Sequence, residues 1–185
     1  FEIIVGAILT QNTAWTNVEK AIRSLKRARK LTPGSMQALA QDPLAKLIKP
    51  AGYFNVKAKR LRNFLKFLAV NYRGSLRQMF RERGDALRHR LLQVNGIGPE
   101  TADSILLYAG NKPFFVIDAY TKRIFARHRL LNRLASYEDW QRLFMSHLPR
   151  NIALYNDFHA QIVEIGKNFC RSKPFCEKCP LRRYL

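Results

Sequence analysis

The sequence predicts an all-α protein made of short helices. Along its 185 residues, apolar side chains recur at the i, i+3, i+4, i+7 spacing that gives a helix one apolar face. Clusters of Pro, Gly, Asn and Asp separate these runs and mark turns. Convincing strand alternation is missing, so a helical fold class is expected.

Four apolar stripes predict the clearest helices. The first two cover residues 18–25 and 61–68, the third covers 87–94, and the fourth covers 155–166. The stretch 114–117 is strand-like but too short to seed a sheet, so a buried connector is expected there. With 47% hydrophobic residues, the chain can build one sizeable core or two small ones.

Residues 91–106, LLQVNGIGPETADSIL, join two helical runs through a very short turn. Gly96 and Gly98 allow positive φ twice, and Pro99 suits the first position of the next helix, where its missing N–H is not needed. Glycines also let the N–H groups at the helix start approach a phosphate closely. Such a hairpin contacts duplex backbone rather than reading sequence. An ordinary helical hairpin capped by glycine has the same pattern.

The charge balance indicates a polyanionic partner. Against 33 Lys and Arg stand 13 Asp and Glu, which gives a formal net charge of +20. No apolar run approaches the roughly 18 residues of a membrane-spanning helix, and no lipidation signal is present. Three cysteines in the last 16 residues suit ligands better than an extracellular disulfide framework, so a location inside a cell is expected. The chain opens within an apolar periodic segment, so a trimmed amino terminus is also expected.

Several motifs, taken in order, resemble those of the endonuclease III superfamily of DNA glycosylases. Its helix-hairpin-helix and Gly/Pro-Asp signature is matched by Leu92–Ala102 followed by Asp118. Its apolar helix ending in a glutamine is matched by Ile8–Thr13, its middle motif by Gly52–Ala58, and its carboxyl-terminal cluster by the cysteines. The segment from Thr10 onwards is most similar to the helical 3-methyladenine DNA glycosylases. Together the motifs cover nearly the whole chain.

The resemblance implies two helical lobes around a DNA-binding cleft. Residues 1–113 would form a six-helix barrel with the helix-hairpin-helix at about 87–109, and residues 114–185 a smaller lobe with the catalytic aspartate and the cysteine-rich tail. The implied activity is that of a base-excision-repair DNA glycosylase, which flips a damaged base out of the duplex and cleaves its N-glycosidic bond. The implied partner is double-stranded DNA with a damaged base. A monomer is expected, in the cytoplasm at the nucleoid if the source is bacterial or archaeal.

Asp118 is the catalytic residue that the resemblance implies. It follows the apolar segment 113–117, where a carboxylate would act strongly on the positive charge that develops on the sugar as the base departs. The same carboxylate could orient or deprotonate the attacking water. Asp118 also stands before a helical stretch, so an N-cap is the alternative role, and the two roles are compatible.

Glu100 stands where bifunctional members of the family carry a lysine. That lysine attacks the sugar, forms a Schiff base and goes on to cut the strand, which a glutamate cannot do. The resemblance therefore implies a monofunctional glycosylase that leaves an abasic site. Glu100 would line the base pocket, or would only be an acidic residue that is favourable in the first turn of a helix.

Three residues indicate which damaged base the enzyme would remove: Gly6, Gln11 and Trp15. Adenine glycosylases that act on mismatches carry a catalytic glutamate at the position of Gly6, which argues against that activity. The resemblance places Trp15 in the base pocket, where its electron-rich face suits a cationic alkylated purine, and a core tryptophan is the alternative. Gln11 would fill or probe the gap left in the duplex, with a surface helix end as the alternative. An alkylated purine of the 3-methyladenine type is the expected substrate.

Basic clusters are expected to follow the phosphate backbone and to give salt-sensitive binding. One cluster lies at 57–60 and another at 122–129. His159, on a helical stripe, is expected to be a core histidine or to support the catalytic residue. The residues expected at the DNA are Gln11, Asn95, Gly96, Ile97, Gly98, Thr101, Lys57 and Lys59.

The tail holds Cys170, Cys176 and Cys179, which match the run that binds a 4Fe-4S cluster through four thiolates in the family. The first gap has five residues where the family usually has six, and Leu185 occupies the position of the fourth cysteine. A fourth ligand beyond residue 185 and a structural role for the cluster are therefore expected. Zinc with three cysteines and an outside ligand is the alternative metal, and unliganded cysteines come third. The resemblance also implies a monovalent cation at the hairpin.

Two other functions stay open on the sequence. A glycosylase or abasic-site lyase of the same fold could act on mismatched thymine or oxidised pyrimidine. A non-catalytic module could bind DNA through the hairpin and the basic surface alone.

Overall fold

The computed structural model describes residues 1–184. Within these residues it has eleven α-helices and no strand, which confirms the predicted all-α class. The chain divides into two compact units, Phe1–Gly110 (unit 1) and Asn111–Leu185 (unit 2). The lobe boundary predicted from the sequence lies at residue 113, and the functions assigned to the lobes stay predictions.

Unit 1 is built from short helices around one long one. Its α-helices are α1 Glu2–Leu9, α2 Trp15–Arg27, α3 Pro33–Gln37, α4 Gln41–Leu47, α5 Phe54–Tyr72, α6 Leu76–Arg81, α7 Gly84–Leu92 and α8 Pro99–Ser104. A 3-10 turn at Lys49–Ala51 comes before α5, and α8 continues into a π-helical turn at Ile105–Ala109.

The core of unit 1 lies around α1 and α5. The large apolar side chains from Ile4 to Leu9 are fully buried, and α1 contacts α2, α5 and α8. The predicted stripe of α5 is confirmed, because Leu61, Phe64, Leu65 and Leu68 are all buried. The loop that follows α1 and the start of α5 are therefore held against the same core.

The hairpin between α7 and α8 differs in one respect from the expectation. Pro99 opens α8 as predicted, and Gly96 has the predicted positive φ of +96°. Gly98, however, has φ of −91° and ψ of 179°, because it serves as the N-cap of α8 in extended backbone. An added Cβ at Gly96 would lie 2.3 Å from Cγ of Arg60, so this turn needs a glycine for both conformation and space.

Unit 2 has three α-helices, α9 Ala119–Arg127, α10 Tyr137–His147 and α11 Ile152–Asn168. The buried connector predicted at 114–117 is confirmed, since all four of its residues are buried and none belongs to a strand. The Phe115 ring stacks on that of Phe144 with centroids 4.5 Å apart, and Gln141 donates a hydrogen bond of 2.8 Å to the Phe115 carbonyl. Because the connector is buried and hydrogen-bonded, it holds Asp118 at a fixed position next to apolar side chains.

Among the described residues, none of the helices combines the length and the apolar composition that crossing a membrane requires.

Candidate functional site

Asp118 lies where the buried connector of unit 2 meets α9. Its Oδ1 accepts hydrogen bonds from the backbone N–H of Thr121 at 2.7 Å and from the Thr121 hydroxyl at 2.9 Å. The predicted N-cap is therefore confirmed. Its Oδ2 lies 3.7 Å from Nε2 of His159 on α11. One carboxylate oxygen thus fixes the orientation of the side chain, and the other serves a separate contact.

His159 is a titratable neighbour of Asp118. Burial lowers the pKa of His159, and the nearby Asp118 carboxylate offsets part of this by raising it. The net direction keeps the imidazole neutral near pH 7. The helical stripe in the sequence predicts either a core role or a supporting role for His159, and the contact with Asp118 favours the supporting one.

A glycine sets the close packing of α9 on α11. An added Cβ at Gly166 would lie 2.3 Å from Cδ1 of Tyr120 and 2.9 Å from its Cβ. Only hydrogen fits between these two helices at that level, so the ring of Tyr120 rests directly on α11. This close approach helps to bring His159 of α11 within reach of Asp118 at the start of α9.

We expect an acid-side loss of stability that depends on His159. Because its folded-state pKa is below its ordinary value of 6.5, the unfolded chain takes up this proton first as the pH falls. The stability present above pH 6.5 is therefore lost as the pH falls towards the lowered pKa. Thermal melts between about pH 5 and pH 8 check this, with a steeper acid-side decline in the wild type than in His159→Asn. Equal slopes for the two proteins would contradict it.

Trp15, the residue predicted to hold the base, is the first residue of α2 in unit 1 and is 48% exposed. Its ring lies over Gly6, where an added Cβ would be 3.4 Å from Cη2 of the indole. The exposure argues against a core tryptophan. The six-membered ring of the indole packs against α1, and the place of Trp15 in a base pocket stays a prediction.

Gln11, the residue predicted to probe the duplex gap, is engaged within unit 1. Its Nε2 donates to the carbonyl of Gly96 at 2.9 Å and to the hydroxyl of Thr101 at 2.8 Å, and its Oε1 accepts from Arg60. Gln11 therefore connects the end of α1 to the hairpin. Its predicted insertion into the duplex would require these bonds to break, and that role stays a prediction.

Lys57 does not contact phosphate as expected, and that prediction is wrong. The residue is 1% exposed, and its Nζ donates to the carbonyls of Leu9 at 2.8 Å and Ala51 at 2.7 Å and to the Thr13 hydroxyl. All three ammonium hydrogens are thus used inside the protein. Burial is the main cause that lowers the pKa of Lys57, and the charge of Arg60 adds to it. Lys59, two residues on, is exposed and stays a predicted DNA contact.

Of the five hairpin residues predicted to contact DNA, two are exposed, two are buried and Gly96 is half-buried. Asn95 and Gly98 are exposed, and Asn63 of α5 donates a hydrogen bond of 2.9 Å to the Asn95 carbonyl. The side chains of Ile97 and Thr101 are buried, so these two residues can meet DNA only through backbone atoms. The N–H of Ile97 already donates to the Val94 carbonyl at 2.9 Å. Contact between a phosphate and the N–H groups in the first turn of α8 stays a prediction.

Glu100 is exposed and is the second residue of α8, as the sequence predicted for a first-turn acid. A carboxylate at this end of a helix is favoured by the helix dipole. Its place in a base pocket stays a prediction.

Tyr53 is a candidate that the sequence analysis did not single out. It is 73% exposed and has φ of 44°, a left-handed conformation that is uncommon for a bulky residue. An exposed aromatic ring held in strained backbone suits stacking on a nucleobase. Because aromatic residues also fill protein cores, the sequence alone does not show that Tyr53 is exposed, and only the structure identifies it as a candidate.

The three cysteines do not gather into a metal site. Cys170 is buried, and its Sγ accepts a hydrogen bond from Arg127 at 3.2 Å. Within residues 1–184, no group of three or more His, Cys, Asp or Glu side chains could hold a metal ion. The expected position of the fourth cysteine, Leu185, lies outside the described residues. The described residues thus supply three of the four thiolates that a 4Fe-4S cluster requires, and they are not grouped as a metal site. The cluster stays a prediction, and the proposed reaction includes no metal.

Two arginines of α9 hold the start of this tail. Arg123 donates to the carbonyls of Cys170 at 2.7 Å and Gly166 at 3.0 Å. Arg127 donates to the carbonyls of Arg171 and Ser172 at 2.6 and 2.9 Å. The carboxyl end of α11 is thus bonded to α9, and cations at a helix carboxyl end are electrostatically favourable.

Residues 5–150 match the model of a family described as the HhH-GPD superfamily of base excision DNA repair proteins. The chain belongs to this superfamily. The resemblance drawn from the hairpin and the motifs around it is therefore confirmed. As an HhH-GPD protein of base excision repair, it is a DNA N-glycosylase and acts on DNA.

Individual relatives of this HhH-GPD protein match over most of its length. It is 47% identical to the candidate DNA repair glycosylase MJ1434 of Methanocaldococcus jannaschii, over 100% of this chain and 84% of that protein. The structure of H. pylori 3-methyladenine DNA glycosylase (MagIII) bound to 1,N6-ethenoadenine is similar with a TM-score of 0.79 and 30% identity, over 90% of this chain and 84% of that one. A trapped endonuclease III–DNA covalent intermediate shares the fold, with a TM-score of 0.83 and 21% identity over 98% of this chain and 81% of that one.

Proposed function

We propose that this HhH-GPD protein is a monofunctional DNA glycosylase that hydrolyses the N-glycosidic bond of alkylated purines of the 3-methyladenine type. The observation that carries the proposal is the geometry at Asp118, whose Oδ1 is held by α9 and whose Oδ2 lies beside His159. The likeness to a 3-methyladenine DNA glycosylase at 30% identity supports the substrate class.

Asp118 is the group that acts on the sugar. As the glycosidic bond breaks, both bonding electrons leave with the base and positive charge develops on the sugar, which a fixed carboxylate stabilises. The oxygen of a water then forms the new bond to the anomeric carbon, and Asp118 accepts or orients the proton that the water loses. The bonds from Thr121 hold the carboxylate in place throughout, so little reorganisation accompanies the reaction.

A cationic base requires no acid from the enzyme. An alkylated purine of this type already carries a positive charge, so it becomes neutral when it takes the bonding electrons. Because burial lowers the pKa of His159, the neighbour of Asp118 is a neutral imidazole, which is poorly suited to protonating a leaving group. This arrangement favours a substrate that leaves without being protonated.

Trp15 is the residue proposed to bind the flipped base. Its side chain is half exposed, and the π face of tryptophan attracts a cation more strongly than that of any other side chain. Gly6 lies under the ring and provides no carboxylate of its own. The preference for a cationic purine over a neutral one would then come from attraction to the ring.

Glu100 is the residue proposed to make the enzyme monofunctional, and Glu100→Lys should change that. We expect no borohydride-trapped adduct with the wild type, and a trapped adduct with Glu100→Lys, because an amine at a helix start has its charged form disfavoured by the dipole and is a better nucleophile. Gel shift of the protein on a labelled lesion duplex after borohydride checks this. Glu100→Gln is the control and should not be trapped. A trapped adduct with the wild type would show that another lysine of the chain attacks the sugar.

The hairpin and the basic surface are proposed to bind the duplex backbone, with the protein acting as a monomer. The net charge of +20 predicts that affinity for undamaged duplex falls steeply with salt.

Base release from a panel of duplexes tests the proposed function. The panel carries stable 3-methyladenine analogues, 7-methylguanine, hypoxanthine, a G:T mismatch or oxidised pyrimidine, and the abasic product is read by alkali cleavage. Alkali-dependent cleavage confined to alkylated purines supports the proposal. Release of thymine or oxidised pyrimidine would instead assign the mismatch or oxidised-base activity, and salt-sensitive binding without any base release would assign a binding module.

A further inference from the structure

We infer that Lys57 and Arg60, on successive turns of α5, are positioning residues for base release: they fix the loop between α1 and α2, which leads to Trp15, against the hairpin. The inference deepens the proposed function and rests on it for the role of Trp15. It is carried by a chain of hydrogen bonds that lies wholly within unit 1.

Lys57 holds the loop through hydrogen bonds at Thr13 and at the end of α1. Its buried Nζ bonds to the Leu9 carbonyl at the end of α1, to the Ala51 carbonyl before α5, and to the Thr13 hydroxyl in the loop. The Thr13 hydroxyl in turn donates to Ala51 at 2.6 Å. A buried ammonium is stable only when such oxygens surround it. Three separate segments therefore meet at one cation, and Trp15 follows two residues after Thr13.

Arg60 holds the loop through a hydrogen bond to Gln11. Its guanidinium donates to Oε1 of Gln11, whose Nε2 bonds to the Gly96 carbonyl and the Thr101 hydroxyl. The aliphatic part of Arg60 fills the space beside Gly96, within 2.3 to 3.2 Å of where a Cβ would be. Arg60 thus contacts the loop through its charge and the hairpin through its methylene groups.

The loop itself has little intrinsic order to replace these bonds. It spans five residues between α1 and α2, and Asn12 within it has a left-handed φ of 52°. Its internal backbone bond runs from the N–H of Thr13 to the Thr10 carbonyl at 3.0 Å. Without the two cations, the segment before Trp15 would sample other conformations, and the indole would move with it.

The fluorescence of Trp15 provides a readout that needs no substrate. The chain has two tryptophans, and Trp140 is fully buried in unit 2, so acrylamide quenching of the accessible component reports Trp15. We expect this quenching to rise in Arg60→Met and Lys57→Met. It should stay at the wild-type level in Arg23→Met and Lys46→Met, which replace exposed residues on α2 and α4.

Kinetics separate positioning from mere folding. For Arg60→Met, with a melting temperature close to that of the wild type, we expect kcat for an alkylated purine to fall by about tenfold to 100-fold while KM changes little. Arg60→Lys keeps a cation and an aliphatic chain and should recover most of the rate. If Lys57→Met unfolds, the half-buried Arg60 still decides the question.

Two results would overturn the inference. One is unchanged quenching of Trp15 in a folded Arg60→Met protein, and the other is raised quenching with wild-type kcat and KM. If the wild type releases no base from any duplex, the proposed function fails alone, because the quenching comparison still shows whether the two cations fix the loop.

Discussion

Asp118→Asn is expected to slow base release by about 10³-fold while leaving the fold intact. The substitution removes the negative charge that stabilises the developing positive sugar, and it removes the group that takes the proton of the water. Asparagine is as good an N-cap as aspartate, so the bond to the N–H of Thr121 should persist. Asp118→Asn should therefore lose the catalytic activity while keeping the stability that the N-cap provides.

The measurement is the single-turnover rate of base release from an alkylated duplex, together with the melting temperature. Asp118→Ala is the matched control, because it loses charge and cap together and should destabilise the protein by about 1 kcal/mol beyond Asp118→Asn. Base release near the wild-type rate in Asp118→Asn would show that the carboxylate is only a cap.

Gly96→Ala is expected to destabilise unit 1 by roughly 2 to 3 kcal/mol and to weaken duplex binding. The left-handed φ of +96° is costly for a residue with a Cβ, and the added carbon would lie 2.3 Å from Cγ of Arg60. Arg60 must then move, which breaks its contact with Gln11 and shifts the hairpin. Stability and DNA affinity should therefore fall together.

Gly98→Ala is the control for this prediction. Gly98 has φ of −91°, and an added Cβ there meets no atom within 4 Å, so its effect on unfolding should stay below about 1 kcal/mol. Chemical denaturation measures both free energies, and fluorescence anisotropy with undamaged duplex measures binding. Equal losses of stability at the two glycines would contradict the account of the turn.

The sequence predicted those features of the fold that depend on local chemistry. The cap at Asp118, the proline that opens α8 and the buried connector at 114–117 each follow from residues that adjoin in the chain. The short helices α3, α4 and α6 lie outside the four predicted apolar stripes. Helices of five to seven residues complete too few turns for an apolar period to emerge.

The candidate site was less predictable where contacts span long distances in the chain. Lys57 bonds to Leu9, 48 residues away, and no local pattern separates such a lysine from one on a basic surface. Gln11 bonds to Thr101, which is 90 residues away, so its hydrogen bonds to the hairpin could not be predicted from the local sequence either. The net charge of a chain indicates a polyanionic partner, but it does not show which lysine or arginine is buried and bonded inside the protein.

The bonds from Arg123 and Arg127 to the carboxyl end of α11 have a consequence for the proposed catalyst. Helix α9 is secured at its first turn by Asp118 and along its later turns by these two guanidinium groups. Hydrogen bonds therefore hold α9 at its first turn and near its carboxyl end. These bonds reach Cys170 and the backbone beside it but do not involve the Cys176 side chain, so Cys176→Ser should leave Asp118 where it is.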